Sequence, residues 1–272
     1  MKRISLLGCG AIGTQIALAI DSGKIPAILA CVYDTNRSHA ENLVSKLMHK
    51  PEIVANSHLL SLNPIDLVVE AASQDAVRKD AVSILQNKKD LMIMSAGALL
   101  DESVFEVVSD ACKNFGKTVY LPSGAIAGLD ALKAVKDELE SVVLVTTKNP
   151  ISLKNAPFFD NSYIDPDKIS KPTVLFDGTA KDVVKLFPKN INVAALLSLV
   201  GLGSEKTGVR VVADPNTNKN THHIEANGKF GNLSITVENI PDPTNTKTSR
   251  LAILSAIERL RQICTKKIMI GT

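Results

Sequence analysis

The stretch "LLGCGAIGTQIA" limits this chain more than any other, because three glycines stand at Gly8-x-Gly10-x-x-Gly13 between an apolar run and a helical one. In a strand–turn–helix context the first glycine permits the tight turn, and the second lets backbone approach a pyrophosphate. The third lets helix pack closely on strand, with the helix N-terminus facing the anion. Ala11 and Ile12 complete the loop and count with Gly8, Gly10 and Gly13 as cofactor-binding candidates. Asp34 ends the next apolar run, 21 residues after Gly13, where an acid can hold the ribose hydroxyls of NAD. Arg37 follows three residues later and keeps NADP open, since an arginine there can accept a 2′-phosphate. The implied cofactor is a nicotinamide dinucleotide, NAD ahead of NADP.

The segments around this loop repeat its alternation. "RISLLG", "AILACVYD", "DLVVEAA", "DLMIMSA" and "TVYLP" are short and apolar, as strands buried on both faces should be. Helical patterns separate them at Ala11–Ser22, Ser38–Met48, Asp75–Gln86 and Glu102–Phe115. Strand alternating with helix implies right-handed crossovers and a doubly wound parallel sheet. Small residues in "EAASQ", "SAGAL" and "PSGAIAG" suit strand ends where a flat ring approaches. Beyond Pro122 the pattern changes. "SVVLVTTKNP" reads as a longer strand and "NAPFFDNSYIDPDKISKP" as a loop. Helices are expected at Ala180–Phe187 and Ile191–Gly201, then antiparallel strands in "GVRVVADP", "THHIEANG" and "KFGNLSITVENI". Asn227–Gly228 is a two-residue hairpin signal. The expected fold is α/β: a Rossmann domain over 1–122, and an α+β substrate and dimerisation domain with a mostly antiparallel sheet over 123–245. A C-terminal helix within 246–272 is expected to return to the first domain.

Composition excludes several classes. A net charge of +3, with no Lys/Arg-rich run, argues against nucleic acid. The longest later apolar stretch, "VAALLSLVGLG", is about half the ~20 residues a bilayer needs, and glycines interrupt the N-terminal apolar run too early for a signal peptide. Cys9, Cys31, Cys112 and Cys264 show no paired or zinc-binding spacing and read as free thiols in a reducing cytosol. A soluble cytoplasmic protein is expected, with no metal site.

Chemistry beyond the cofactor rests on "NTHHIEANG", where two of the five histidines adjoin. If "THHIEA" is a strand, His222 shares a face with Ile224 and Ala226, and His223 shares one with Glu225. His222 is then the covered imidazole, and half-cover with a pKa moved near neutrality would suit acid–base work. A satisfied core histidine fits the same pattern. Adjacent strand residues point to opposite faces, so the pair cannot chelate a metal together. His39, His49 and His58 read as solvated.

The words "PSGAIAGLDAL", "FPKNINVAA", "GVRVVADP", "NTHHI", "GNLSITVEN" and "PTNTKTS" together resemble the L-aspartate dehydrogenase family over nearly the whole chain. The resemblance implies NAD(P)-dependent oxidative deamination of L-aspartate to iminoaspartate, with hydrolysis to oxaloacetate and ammonia, able to feed NAD biosynthesis. It implies a homodimer. It puts the catalytic histidine on His222, and cofactor contacts on Ala125 and Asn192, with Asn190 as the alternative register. His223 stands where relatives often carry arginine.

A substrate with two carboxylates needs cations or N–H donors. "FPKNINVAA" offers Lys189 and Asn190 at a helix start; "NTKTS" offers Lys247, Thr248 and Ser249; Arg210 is a further candidate. Helix capping by Asn190 and Ser249 with solvated lysines is the competing reading. A homoserine dehydrogenase or dihydrodipicolinate reductase type of reductase is the nearest enzymatic rival. A non-catalytic NAD-binding sensor is the rival of another class.

Overall fold

Six parallel strands build the N-terminal half of the computed structural model, which describes residues 1–62, 64–188, 192–242 and 245–265. The elements are β1 (Lys2–Leu7), α1 (Ala11–Asp21), β2 (Ala27–Tyr33), α2 (Arg37–Ser45), β3 (Glu52–Ile53), β4 (Leu67–Glu70), α3 (Gln74–Gln86), β5 (Asp90–Ile93), α4 (Glu102–Phe115) and β6 (Val119–Tyr120). Their spatial order, β3-β2-β1-β4-β5-β6, reverses direction between β1 and β4. Strand ends at such a reversal form the crevice where nucleotides bind. All four residues of β4 are buried, which is why it reads as unbroken apolar sequence ending in a single acid. Helix starts are fixed by short polar side chains: Asn36, Ser73 and Asp101 each accept a backbone N–H from the first turn of α2, α3 and α4.

The second unit comprises Ser123–Ala252. It carries α5 (Leu129–Ala134), β7 (Leu139–Lys148), α6 (Pro150–Leu153), β8 (Thr173–Thr179), α7 (Ala180–Leu186), α8 (Asn192–Val200), β9 (Thr207–Ala213), β10 (Asn220–Gly228), β11 (Gly231–Asn239), β12 (Pro241–Asp242) and β13 (Asn245–Ser249). Five strands form a sheet in the order β11-β10-β7-β9-β8, in which only the β7–β9 pair is parallel. Alternation places Val142, Leu144, Val209, Val211, Ile224 and Ala226 in one core with Val183 of α7 and Ala194 and Leu197 of α8. The last helix, α9 (Arg250–Cys264), enters the first unit at Ile253, where Ala256 and Leu260 join Ile4, Leu6 and Ile16 in its core.

Three local expectations are corrected. Asn227 and Gly228 are strand residues rather than the hairpin turn: Gly228 pairs with Gly231, so the turn falls on Lys229 and Phe230. A Cβ on Gly228 would lie 2.0 Å from the Glu138 carbonyl oxygen, so this glycine serves close backbone approach, while Gly231 takes the positive φ of +116°. Thr173–Thr179, directly after the Pro-rich loop, is an additional edge strand. Part of the turn-like "PDPTNTKTS" pairs as β12 with β13.

Candidate active site

The glycine loop is shaped by contacts no side chain would tolerate. Gly8 has φ +100°, and a Cβ there would lie 2.6 Å from the Ala71 carbonyl oxygen. A Cβ on Gly13 would lie 2.1 Å from the Gly8 carbonyl oxygen, so α1 is pressed against its own turn. Gly10 differs, because a Cβ there would meet nothing within 4 Å. Gly10 caps α1 without any side-chain acceptor, and no acid stands in the first turn. The N–H groups of Ala11 and Ile12 belong to the first turn of α1, which has no intrahelical acceptor for them, and such a helix start is what a pyrophosphate requires.

Asp34 is held by the same loop. Its Oδ2 accepts the Cys9 N–H at 2.8 Å and its Oδ1 accepts the Asn36 N–H at 2.9 Å, leaving each oxygen a further lone pair. His39 is exposed, as expected, and its Nδ1 stands 3.5 Å from Asp34 Oδ1. Gly8, Gly10, Asp34, His39, Ala72 and Ser73 line one cleft of about 410 Å³. Arg37 bonds Glu41 at 2.9 Å. The Cys9 thiol is pushed up to about 12 by burial, with the Asp34 charge adding to the effect, so it stays protonated and unreactive. These residues fit a dinucleotide.

Beneath this cleft Glu70 ties two strand ends together. Its carboxylate accepts N–H groups from Ala72 at 2.8 Å, Ser95 at 3.0 Å and Met94 at 3.2 Å, and the Ser95 hydroxyl at 2.9 Å. Burial raises its pKa against the opposing pull of those donors.

In the second unit the covered sheet face turns polar at one end. His222 pairs with Val237 on β11 and with Thr146 on β7. Its Nδ1 lies 2.9 Å from Thr146 Oγ1. Lys148 follows two residues along on the same face and is 4% exposed. Asn220, on the other side of the ladder, donates to Ser249 Oγ at 3.4 Å. Its partner Asn239 donates to the Ala125 carbonyl oxygen at 2.9 Å. Ala125 is thereby brought into this polar group.

The expected half-cover of His222 is wrong, since the residue is 1% exposed. Burial, and then the Lys148 charge, push its imidazole down to about 3 instead of toward neutrality. Burial alone pushes Lys148 down to about 8. The imidazole is therefore neutral at ordinary pH. His223 sits on the outward face, bonded to Thr236 Oγ1 at 2.8 Å and to Glu225 at 3.0 Å.

Of the remaining candidates, Asn192 is the first residue of α8 and is half-buried, as is Thr248, while Ser249 is buried. Lys189 and Asn190, and the side chain of Lys247, lie outside the described residues. Arg210 is on the outward face and bonds Asp177 Oδ2 through Nη2 at 2.7 Å, away from His222. Among the described residues no group of three His, Cys, Asp or Glu side chains is placed to hold a metal ion. Sequence reading missed Thr146, Lys148, Asn220 and Asn239. The signal that could have found the first two is period-two alternation from Val142 and Leu144, which carries the covered face to Thr146 and Lys148.

The glycine loop, the anchored acid and the strand-order reversal define a dinucleotide-binding protein of the Rossmann type, joined to a second α+β unit. Residues 8–122 match the family model described as "Homoserine dehydrogenase, NAD binding domain", and residues 130–263 match "Aspartate dehydrogenase, C-terminal". The chain is 66% identical over 272 residues to the L-aspartate dehydrogenase of Nitrosopumilus maritimus, and 45% identical over 273 residues to that of Methanocella arvoryzae, in each case over 100% of both chains. The crystal structure of aspartate dehydrogenase from Thermotoga maritima superposes with a TM-score of 0.77 at 30% identity, covering 99% of each chain. The chain belongs to the L-aspartate dehydrogenase family.

Proposed function

We propose that this chain is an L-aspartate dehydrogenase, oxidising L-aspartate to iminoaspartate with NAD, and that His222 is its catalytic residue. Family membership over the full length supports the reaction. One structural observation carries the residue: His222 is the histidine on the covered sheet face, oriented through Nδ1 by Thr146 and grouped with Lys148 and Asn220.

Bound NAD supplies a hydride acceptor. Gly8, Gly10, Ala11, Ile12 and Gly13 hold its pyrophosphate and Asp34 its adenosine ribose, with Ala125 and Asn192 as further cofactor contacts. Asp34 would repel a 2′-phosphate and Arg37 is engaged by Glu41, so NAD is preferred over NADP. The protein's own work is proton handling. With Nδ1–H donating to the Thr146 hydroxyl, Nε2 keeps its lone pair and takes the proton from the substrate ammonium. Loss of that proton leaves the nitrogen lone pair that forms the C=N bond as hydride leaves Cα. A free imidazole as weakly basic as this one gains basicity when the substrate's carboxylates offset the Lys148 charge, the second cause of its lowered pKa after burial. The same pair can activate the water that converts the imine to oxaloacetate and ammonia.

Steady-state NADH formation tests this reading, with L-aspartate and L-homoserine each paired with NAD and with NADP. L-aspartate with NAD is expected to dominate; the homoserine alternative requires the opposite substrate order. His222→Ala should lower kcat by about 10²–10⁴-fold and leave NADH affinity unchanged, whereas His223→Ala should be mild. Near-wild-type turnover in His222→Ala rejects the catalytic assignment. The proposal extends to a cytoplasmic homodimer whose product can feed NAD biosynthesis. Four free cysteines suit a reducing compartment, and light scattering of the purified protein reads the oligomer.

A further inference from the structure

We infer that Lys148 binds the side-chain carboxylate of the substrate, making it a specificity-determining residue of the site that His222 serves. This rests on the reading of the second unit as an amino-dicarboxylate site.

The last residues of β7 on the covered face break the pattern of that face. Val142 and Leu144 pack in the apolar core, each 1% exposed, and alternation continues through Thr146 to Lys148. A lysine at a strand end ordinarily snorkels into water. This one is 4% exposed, nearly as buried as Val142 and Leu144 before it on the same face. Its backbone is clamped there, because the Lys148 carbonyl accepts the Asp214 N–H at 2.9 Å and Asn149 caps α6 through Ile151 N–H at 3.1 Å. Asn149 Nδ2 also bonds the Thr217 carbonyl at 3.1 Å, so the segment after β7 cannot swing the lysine outward without breaking several bonds.

Around it the face is polar. Thr146, His222, Asn220 and Ser249 are all buried on the same unit, and the Lys148 charge is felt by the His222 imidazole. An ammonium beside a catalytic base works against that base, because its charge disfavours the imidazolium that forms when the base takes a proton. An anion arriving with the substrate offsets that charge and removes the smaller of the two causes that hold the imidazole down, burial being the larger. A dicarboxylic amino acid brings such an anion; a hydroxylated or aliphatic amino-acid side chain does not. Lys148 therefore selects for the substrate's charge and couples its binding to the basicity of His222. Burial of the ammonium opposes folding in the free protein, as is common for groups retained for binding.

The test uses the full-length protein, with succinate as a probe that has both carboxylates and no reactive amine. In Lys148→Met the KM for L-aspartate and the inhibition constant of succinate should each rise by about 10–100-fold, the usual weight of a charge-assisted bond. NADH affinity should stay within two-fold (roughly experimental scatter), and the melting temperature of the ligand-free protein should hold or rise. Lys148→Arg, which keeps a cation, should recover part of the succinate binding. Should Lys148→Met not fold, Lys148→Gln keeps a polar, uncharged tip on a shorter stem and serves in its place. Unchanged succinate inhibition in a folded variant overturns the inference, as does a fall in kcat with KM unaltered. A wild-type enzyme that ignores L-aspartate but oxidises an uncharged amino acid rejects the underlying functional reading instead, so the two failures are distinct.

Discussion

At the residue scale the unusual feature is an imidazole and an ammonium sealed on one sheet face. Burial holds the pKa of each below its ordinary value, and the direction of the pH effect follows. His222 falls from 6.5 to about 3, so between those values the unfolded chain binds a proton that the folded chain refuses. Stability then declines as pH falls through that window, at about 1.4 kcal/mol per pH unit for the one group. Lys148 falls from 10.5 to about 8, and over that alkaline window stability rises with pH by the same reasoning. His222→Asn removes the first contribution, so the stability gap between wild type and variant should shrink as pH drops below 6.5. Urea denaturation midpoints measured across that range decide the matter; a gap that stays constant means the ring is not buried neutral. Strand alternation made the covered position of His222 legible. The depth of burial was not, because it depends on what the other strands and helices lay over that face. Lys148 escaped notice because a lysine before Asn149–Pro150 looks like the polar end of a strand.

At the element scale, strand ends in the first unit are joined by one acid. Glu70 closes β4 and receives donors from the turn after its own strand, which lines the cofactor cleft, and from the turn after β5, so the two turns share a single anchor. A glutamine there would put an NH₂ group where at least one N–H donor now points. Glu70→Gln should therefore cost about 1–3 kcal/mol and weaken NADH binding more than L-aspartate binding at saturating cofactor. Thermal melts and an NADH titration check both parts, and an unaltered titration would remove Glu70 from any role in shaping the cleft. In this first sheet the central strands β1, β4 and β5 were legible because most of their residues are buried, and α2, α3 and α4 because each has a side-chain cap. The two-residue edge strand β3, partly exposed, was not. β8 was not, since "TVLFDGT" is an edge strand with one face in solvent and carries Asp177 and Gly178, both poor strand formers. The misplaced hairpin turn has a related cause. Asn-Gly favours a turn locally, but Gly228 is spent on the approach to Glu138, and the turn moves two residues on.

At the scale of the whole molecule, the cofactor-binding unit is not a continuous stretch of chain. Met1–Pro122 includes every residue of the glycine loop and Asp34, yet its core also needs the helix that begins at Arg250. Ala256 and Leu260 are fully buried in that core, Ile257 and Ile263 pack against it, and the Arg259 guanidinium lies 5.1 Å from the centre of the Tyr120 ring. Removing one fully buried leucine's contacts typically costs about 2–5 kcal/mol, a large share of the ~5–15 kcal/mol that holds an ordinary domain together. A fragment ending at Pro122 should consequently bind NADH poorly, although no residue expected to touch the pyrophosphate or ribose is missing. Joining residues 250–265 to that fragment through a flexible linker should restore binding, because it returns the missing side chains to the core without restoring the second unit. NADH fluorescence is a clean readout, since the chain has no tryptophan to interfere. If the short fragment binds NADH as tightly as the full chain, the last helix is dispensable to the nucleotide site. Rescue by the joined helix would instead show that the distant end of the chain is needed to keep the first glycine turn in shape.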